Sequence, residues 1–207
     1  FKDSLPFSLT PAQKRVVKEI SSDLVRPTPM HRLVQGDVGS GKTVVAALAA
    51  LQAIEGGYQV AFMAPTELLA EQHLRNLRGW LEKLGVSIGW VSGKLTPKNR
   101  RETLDAVARH EVSLVVGTHA LFQDPVTFSQ LGLVVVDEQH RFGVHQRLSL
   151  LDKGLDDDKH THQLIMTATP IPRTLAMAAY ADLDTSVIDT LPPGRTPVET
   201  AVVPDTR

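Results

Sequence analysis

Short apolar runs alternate along this chain with longer stretches whose apolar positions recur every three or four residues. The short runs predict strands at Arg32–Gln35, Gln59–Ala64, Ser87–Val91, Ser113–Gly117, Leu133–Asp137, Gln163–Thr167 and Ser186–Ile188. Several are rich in Val, Ile and Leu with little alternation, the pattern of strands covered on both faces. The longer stretches predict helices at Pro11–Leu24, Lys42–Glu55, Thr66–Leu84 and Pro97–Arg109, with shorter ones at Val144–Leu151 and Pro172–Tyr180. Local signals mark their ends. Thr10 and Thr96 precede Pro11 and Pro97 as N-caps, and a proline at the first helical position gives up an N–H the helix does not use. Gly56-Gly57 and Gly85 close the second and third helices. This alternation reads as an α/β fold: a mostly parallel central sheet with helices on both faces.

Polar breaks at Arg26–Pro29, Gln123–Thr127 and Asp152–Thr161 predict loops. Asp156-Asp157-Asp158 in the last of these reads as solvated charge, because three consecutive carboxylates in a loop do not converge on a metal. A length of 207 residues with 42% hydrophobic content suits one large domain with a substantial core. The chain has no cysteine, which excludes disulfides and thiolate metal sites. His140, His145, His160 and His162 without cysteine partners do not make a zinc site. Trp80 and Trp90 read as packing residues. No apolar stretch is long enough to span a membrane, so no membrane partner is expected. With 22 basic against 23 acidic residues, any nucleic-acid role has to rest on motifs and not on net charge. Phe1-Lys2-Asp3-Ser4 is no signal peptide and no natural start, which suggests a piece of something longer. The tail from Pro192 reads as a linker, so the expected division is a domain over 1–194 and a linker over 195–207.

Gly36-Asp37-Val38-Gly39-Ser40-Gly41-Lys42-Thr43 satisfies the phosphate-loop pattern in full. Leu33-Val34 leads in as a strand and Val44–Ile54 leads out as a helix, the context such a loop requires. Glycines let the backbone curl so that its N–H groups meet phosphate oxygens, and the helix adds the positive end of its dipole. Lys42 is then expected to reach the β and γ phosphates, and the Thr43 hydroxyl to ligate Mg²⁺. A nucleoside triphosphate is the expected ligand. The second signal is Leu133-Val134-Val135-Val136-Asp137-Glu138: a buried strand that delivers two carboxylates to the sheet's C-terminal edge, where open α/β sheets bind ligands. Asp137 is the candidate magnesium ligand, and Glu138 the candidate for orienting or deprotonating the attacking water.

With Gln139-His140 the acidic pair becomes Asp-Glu-Gln-His, and at this point the chain resembles the superfamily 2 helicases, specifically the RecG branched-DNA helicase family. Phe7-Ser8-Leu9-Thr10-Pro11-Ala12-Gln13 resembles its upstream glutamine motif. Ala64–His73 resembles motif Ia, and Gly117-Thr118-His119-Ala120-Leu121 motif Ib. Asp137–Gly143, with Val144-His145-Gln146-Arg147 after it, resembles motif II and its extension. Thr167-Ala168-Thr169-Pro170-Ile171-Pro172-Arg173-Thr174 resembles motif III. The transcription–repair coupling translocase is the nearest alternative, but it usually reads Asp-Glu-Glu-His. A nucleotide-dependent binding module without catalysis is a third reading, against which Glu138 argues.

The resemblance implies a RecA-like ATP-binding lobe of a bacterial, cytoplasmic, nucleoid-associated translocase that remodels stalled forks and Holliday junctions. It implies a wedge domain and a second motor domain in cis, the latter supplying an arginine finger. Gln13 is expected to read the adenine edge and Phe7 to stack on the ring. Gln139, His140, Thr167, Ala168, Thr169 and Arg173 are expected to couple hydrolysis to movement. Pro65, Thr66, Gly117, Thr118 and His119, at strand ends beside helix starts, are expected to meet DNA phosphates through backbone amides and short hydroxyls.

Overall fold

The computed structural model describes residues 8–118, 121, 126–138, 161–169 and 183–190. The shorter helices expected over 144–151 and 172–180, most of the loops expected over 123–127 and 152–161, and the tail from 192 lie outside these residues. The described elements run α1 (Pro11–Asp23), β1 (His31–Gly36), α2 (Lys42–Glu55), β2 (Gln59–Met63), α3 (Glu67–Leu81), β3 (Ile88–Val91), α4 (Pro97–Ala108), β4 (Leu114–Gly117), β5 (Leu131–Asp137), β6 (His162–Thr167) and β7 (Asp184–Ile188). Every strand and long helix predicted within the described residues is present, with ends displaced by a residue or two. Thr66 proves to be the N-cap of α3, accepting from Leu69 N–H at 3.3 Å, and the last predicted turn of that helix tightens to a 3-10 turn at Glu82–Leu84.

The strands form one seven-stranded sheet in the order β3-β4-β2-β5-β6-β1-β7, and each registered pairing is parallel. All seven carboxyl ends therefore lie along one edge. Val34 of β1 and Asp137 of β5 both register with Met166 of the intervening β6, so the three strands end level. Alternate residues face opposite cores. Val60, Phe62, Leu114, Val116, Leu133 and Val135 join α1, α2 and α3 on one face. Ala61, Met63, Val115, Val134 and Val136 join Val107 of α4 on the other. Two covered faces explain the near-continuous apolar runs in the sequence.

Polar clamps hold the elements that carry the site. Arg32, buried in β1, donates to Asp23 of α1 at 2.6 and 2.8 Å and to Ser186 of β7 at 2.7 Å. This network fixes α1 against the sheet. At the opposite edge from the carboxyl ends, the fully buried Gln59 uses its whole amide. Oε1 accepts from Ser129 and Gln130 N–H at 2.8 and 3.1 Å, and Nε2 donates to Val107 and Val112 carbonyls at 2.9 and 2.8 Å. Gln59→Leu strands those backbone groups, so urea denaturation of the full-length protein is expected to show a loss of about 3 kcal/mol. A loss below about 1 kcal/mol would mean that water replaces the amide.

Candidate nucleotide site

The loop between β1 and α2 depends on glycine at two positions. Gly39 and Gly41 have φ of +82° and +87°, a region that residues with a Cβ rarely occupy. A Cβ on Gly41 would also lie 2.2 Å from Gln13 Nε2. Gly41 caps α2 without a side-chain hydrogen bond, so the first N–H groups of α2 are left for an anion. Lys42 Nζ donates to the Gly36 and Asp37 carbonyls at 2.7 and 3.1 Å. Burial holds its pKa below the ordinary lysine value; Asp137, then Glu138, then Asp37 oppose that shift. The half-buried ammonium thus rests on its own loop.

The carboxylates arrive from β5 as expected. Lys42, Thr43, Asp137 and Glu138 line one cavity of about 560 Å³, together with Val38, Gly39, Gly41, Ala168 and Thr169. Asp137 is 7% exposed, and its Oδ2 lies 2.7 Å from His73 Nε2. Glu138 turns into the left-handed region at φ 51°, and its N–H donates to the Met166 carbonyl at 2.8 Å. This turn aims the carboxylate at the end of β6. Oε1 accepts from Ala168 N–H at 2.8 Å, and Oε2 accepts from the Thr167 hydroxyl at 3.3 Å. Thr167 Oγ1 in turn accepts from Thr169 N–H at 3.1 Å. The segment expected to couple hydrolysis to movement is thus bonded directly to the candidate base.

Residues 10–178 match the family model described as DEAD/DEAH box helicase. The chain belongs to that family. It is 65% identical over 204 residues to the ATP-dependent DNA helicase RecG of Escherichia coli O157:H7, covering 99% of this chain and 29% of that protein. It is 64% identical to the protein of the same name from Pasteurella multocida, covering 100% of this chain and 30% of that one. A solved structure, RecG bound to a three-way DNA junction, superposes with a TM-score of 0.82 at 44% identity, over 95% of this chain and 26% of that one. The chain thus spans under a third of the relatives it matches, and its sheet is the RecA-like helicase domain.

As a helicase-family lobe, the site suits magnesium by its donors. Thr43 and Asp137 bring oxygen donors to the same cavity. No cluster of three or more His, Cys, Asp or Glu among the described residues forms a cage of its own. One carboxylate and a hydroxyl beside a phosphate site is the usual magnesium arrangement, in contrast to an all-protein cage.

Other expected site residues fall differently. Gln13 is buried against the loop, but its amide is engaged. Nε2 donates to the Ser40 carbonyl at 2.8 Å, and Oε1 accepts from Thr10 N–H at 2.9 Å within a capping box. It braces the loop here, and each amide atom keeps a second hydrogen-bonding position. Ala64 N–H donates to the Gly117 carbonyl at 3.0 Å, which brings the Pro65-Thr66 and Gly117-Thr118 segments side by side on the β2–β4 flank of the sheet edge. Thr66 is exposed, whereas Gly117 and Thr118 are buried. A Cβ on Gly117 would lie 2.3 Å from the Val91 carbonyl, so this glycine answers to packing. Phe7, His119, Gln139, His140 and Arg173 lie outside the described residues.

Sequence reasoning missed a wall of the cavity. Leu69, Gln72, His73, Asn76 and Trp80 of α3 line it. Their three- and four-residue spacing puts them on one helical face, but that spacing alone does not say what the face meets.

Proposed function

We propose that this chain is the first ATP-binding lobe of a RecG-type DNA helicase, a translocase that remodels stalled forks and Holliday junctions in recombination and repair. The observation that carries the reading is the meeting of Lys42, Asp137 and Glu138 in one cavity, in a chain 65% identical to a RecG helicase. Phosphoryl transfer needs positioning and charge neutralisation more than covalent chemistry. Lys42 and the loop amides hold the β and γ phosphates. Thr43 and Asp137 hold magnesium, which neutralises phosphate charge when bound. Glu138 orients the attacking water and takes its proton. Gln13 shifts part of its amide to the adenine edge, with Phe7 on the ring.

Coupling follows from the hydrogen bonds of Glu138. When the γ phosphate leaves, the carboxylate that faced water also faces Thr167 and Ala168. A change at one is felt at the other, and Gln139, His140, Thr169 and Arg173 carry it onward. Pro65, Thr66, Gly117, Thr118 and His119 hold the DNA backbone. The lobe occupies 1–194 and leads through 195–207 to a second motor domain, with a wedge domain elsewhere in the protein. The host compartment is the bacterial cytoplasm at the nucleoid.

The test uses the full-length protein with three-way junctions and linear duplex. Junctions are expected to stimulate ATP turnover and to be unwound. Thr167→Ala with Thr169→Ala is expected to lower unwinding roughly ten-fold more than turnover, within the usual range of coupling between sites. ATP turnover without strand separation on any branched DNA would sink the reading. Equal loss of both activities would remove the coupling role.

A further inference from the structure

His73 has no part in the reading above, yet it touches the carboxylate on which magnesium binding depends. It sits on the face of α3 that lines the nucleotide cavity and is 7% exposed. Its ring packs against Phe62 of β2, with centroids 4.8 Å apart and planes tilted by 48°. Phe62 is itself fully buried, so the ring has a fixed backstop. Nε2 then lies 2.7 Å from Asp137 Oδ2, between residues 64 positions apart in the chain.

The chemistry of the pair settles which atom donates. An ionised carboxylate only accepts, so Nε2 carries the proton in this contact. Nδ1 is buried with no hydrogen-bond partner among the described residues. The bond occupies one acceptor position of Oδ2 and holds the carboxylate plane against α3, with Oδ1 on the side away from that bond.

We propose that His73 is a positioning residue for the magnesium site: its Nε2–H clamps Asp137 Oδ2 and so sets the direction in which Oδ1 meets the metal. The proposal rests on the nucleotide-site reading above. Hydrogen-bonded outer partners of this kind orient metal ligands, and losing one typically costs about 10- to 100-fold in metal affinity. Among the described residues the one side-chain hydrogen bond of His73 goes to Asp137 and none goes to the phosphate loop, so its loss is expected to act on nucleotide binding through magnesium.

The experiment compares wild type, His73→Leu and His73→Gln in the full-length protein. A fluorescent adenosine diphosphate analogue is bound in chelator and then titrated with magnesium. Leucine keeps an apolar body against Phe62 and removes the donor; glutamine carries an amide N–H to about the place of Nε2. The expected result is a magnesium half-saturation raised by about 10-fold or more in His73→Leu, with affinity in chelator unchanged, and His73→Gln returning to near wild type. An unchanged magnesium half-saturation in His73→Leu would overturn the proposal. So would loss of nucleotide binding in chelator, or a His73→Gln protein no better than His73→Leu, since either result makes His73 a packing residue. If wild type itself showed no magnesium-dependent binding, the nucleotide-site reading would fail instead.

Discussion

Glu138→Gln in the full-length protein is expected to bind magnesium–ATP about as well as wild type and to turn it over about 10²- to 10⁴-fold more slowly. The amide matches the carboxylate in shape. Its oxygen still accepts from Ala168 N–H, and its NH₂ faces the Thr167 hydroxyl as a donor, so the left-handed turn at Glu138 keeps its anchors. The phosphate loop is untouched. What disappears is the group proposed to accept the water's proton. Lys42 also loses one of the three carboxylates that offset its burial, but Asp137, the largest of them, remains. Rapid-quench hydrolysis together with equilibrium nucleotide binding checks both halves. Turnover within about ten-fold of wild type would remove Glu138 from the role of base.

The second large effect concerns the chain by itself. Residues 1–207 alone are expected to bind magnesium–ATP but to hydrolyse it about 10³- to 10⁵-fold more slowly than the full-length protein, the usual worth of an arginine finger. Among the described residues no arginine lines the nucleotide cavity. Arg15 is engaged at Val187 and Asp189, and Arg32 is tied into the buried network with Asp23. On the proposed mechanism, charge developing on the transferred phosphoryl group is left in this lobe to Lys42 and the loop amides. The two-faced core and the capped helices give the lobe the means to fold unaided. A phosphate-release assay would read the difference directly. Full DNA-stimulated turnover from the lobe alone would refute the division of labour between lobes.

The place of Glu138 at the sheet edge was legible from four apolar residues followed by two acids, once a glycine-rich loop stood upstream. Its backbone conformation was not legible, nor were its bonds to Thr167 and Ala168, because they join strands 29 and 30 residues apart. Gln13 is the sharper case. Its place beside the loop follows from the glutamine motif, but its engagement with Ser40 depends on how α1 docks, and the buried charges of Arg32 and Asp23 set that docking. Gly117 carries the opposite lesson. A glycine read as a DNA contact is required first by the Val91 carbonyl that passes 2.3 Å from where its Cβ would be.

Local physics sufficed for the elements and for the strand–loop–helix setting of the glycine-rich loop. Caps, prolines, glycines and hydrophobic period act over a few residues, so α2 over Lys42–Glu55 could be read from the chain with both ends correct. The His73–Asp137 clamp, the four-bonded amide of Gln59 and the α3 wall of the cavity belong to the tertiary structure alone. The first two pair polar atoms on elements far apart in sequence and the third sets a helix face against a distant loop, and no period in the chain records which partner a buried group will find once the sheet order has formed.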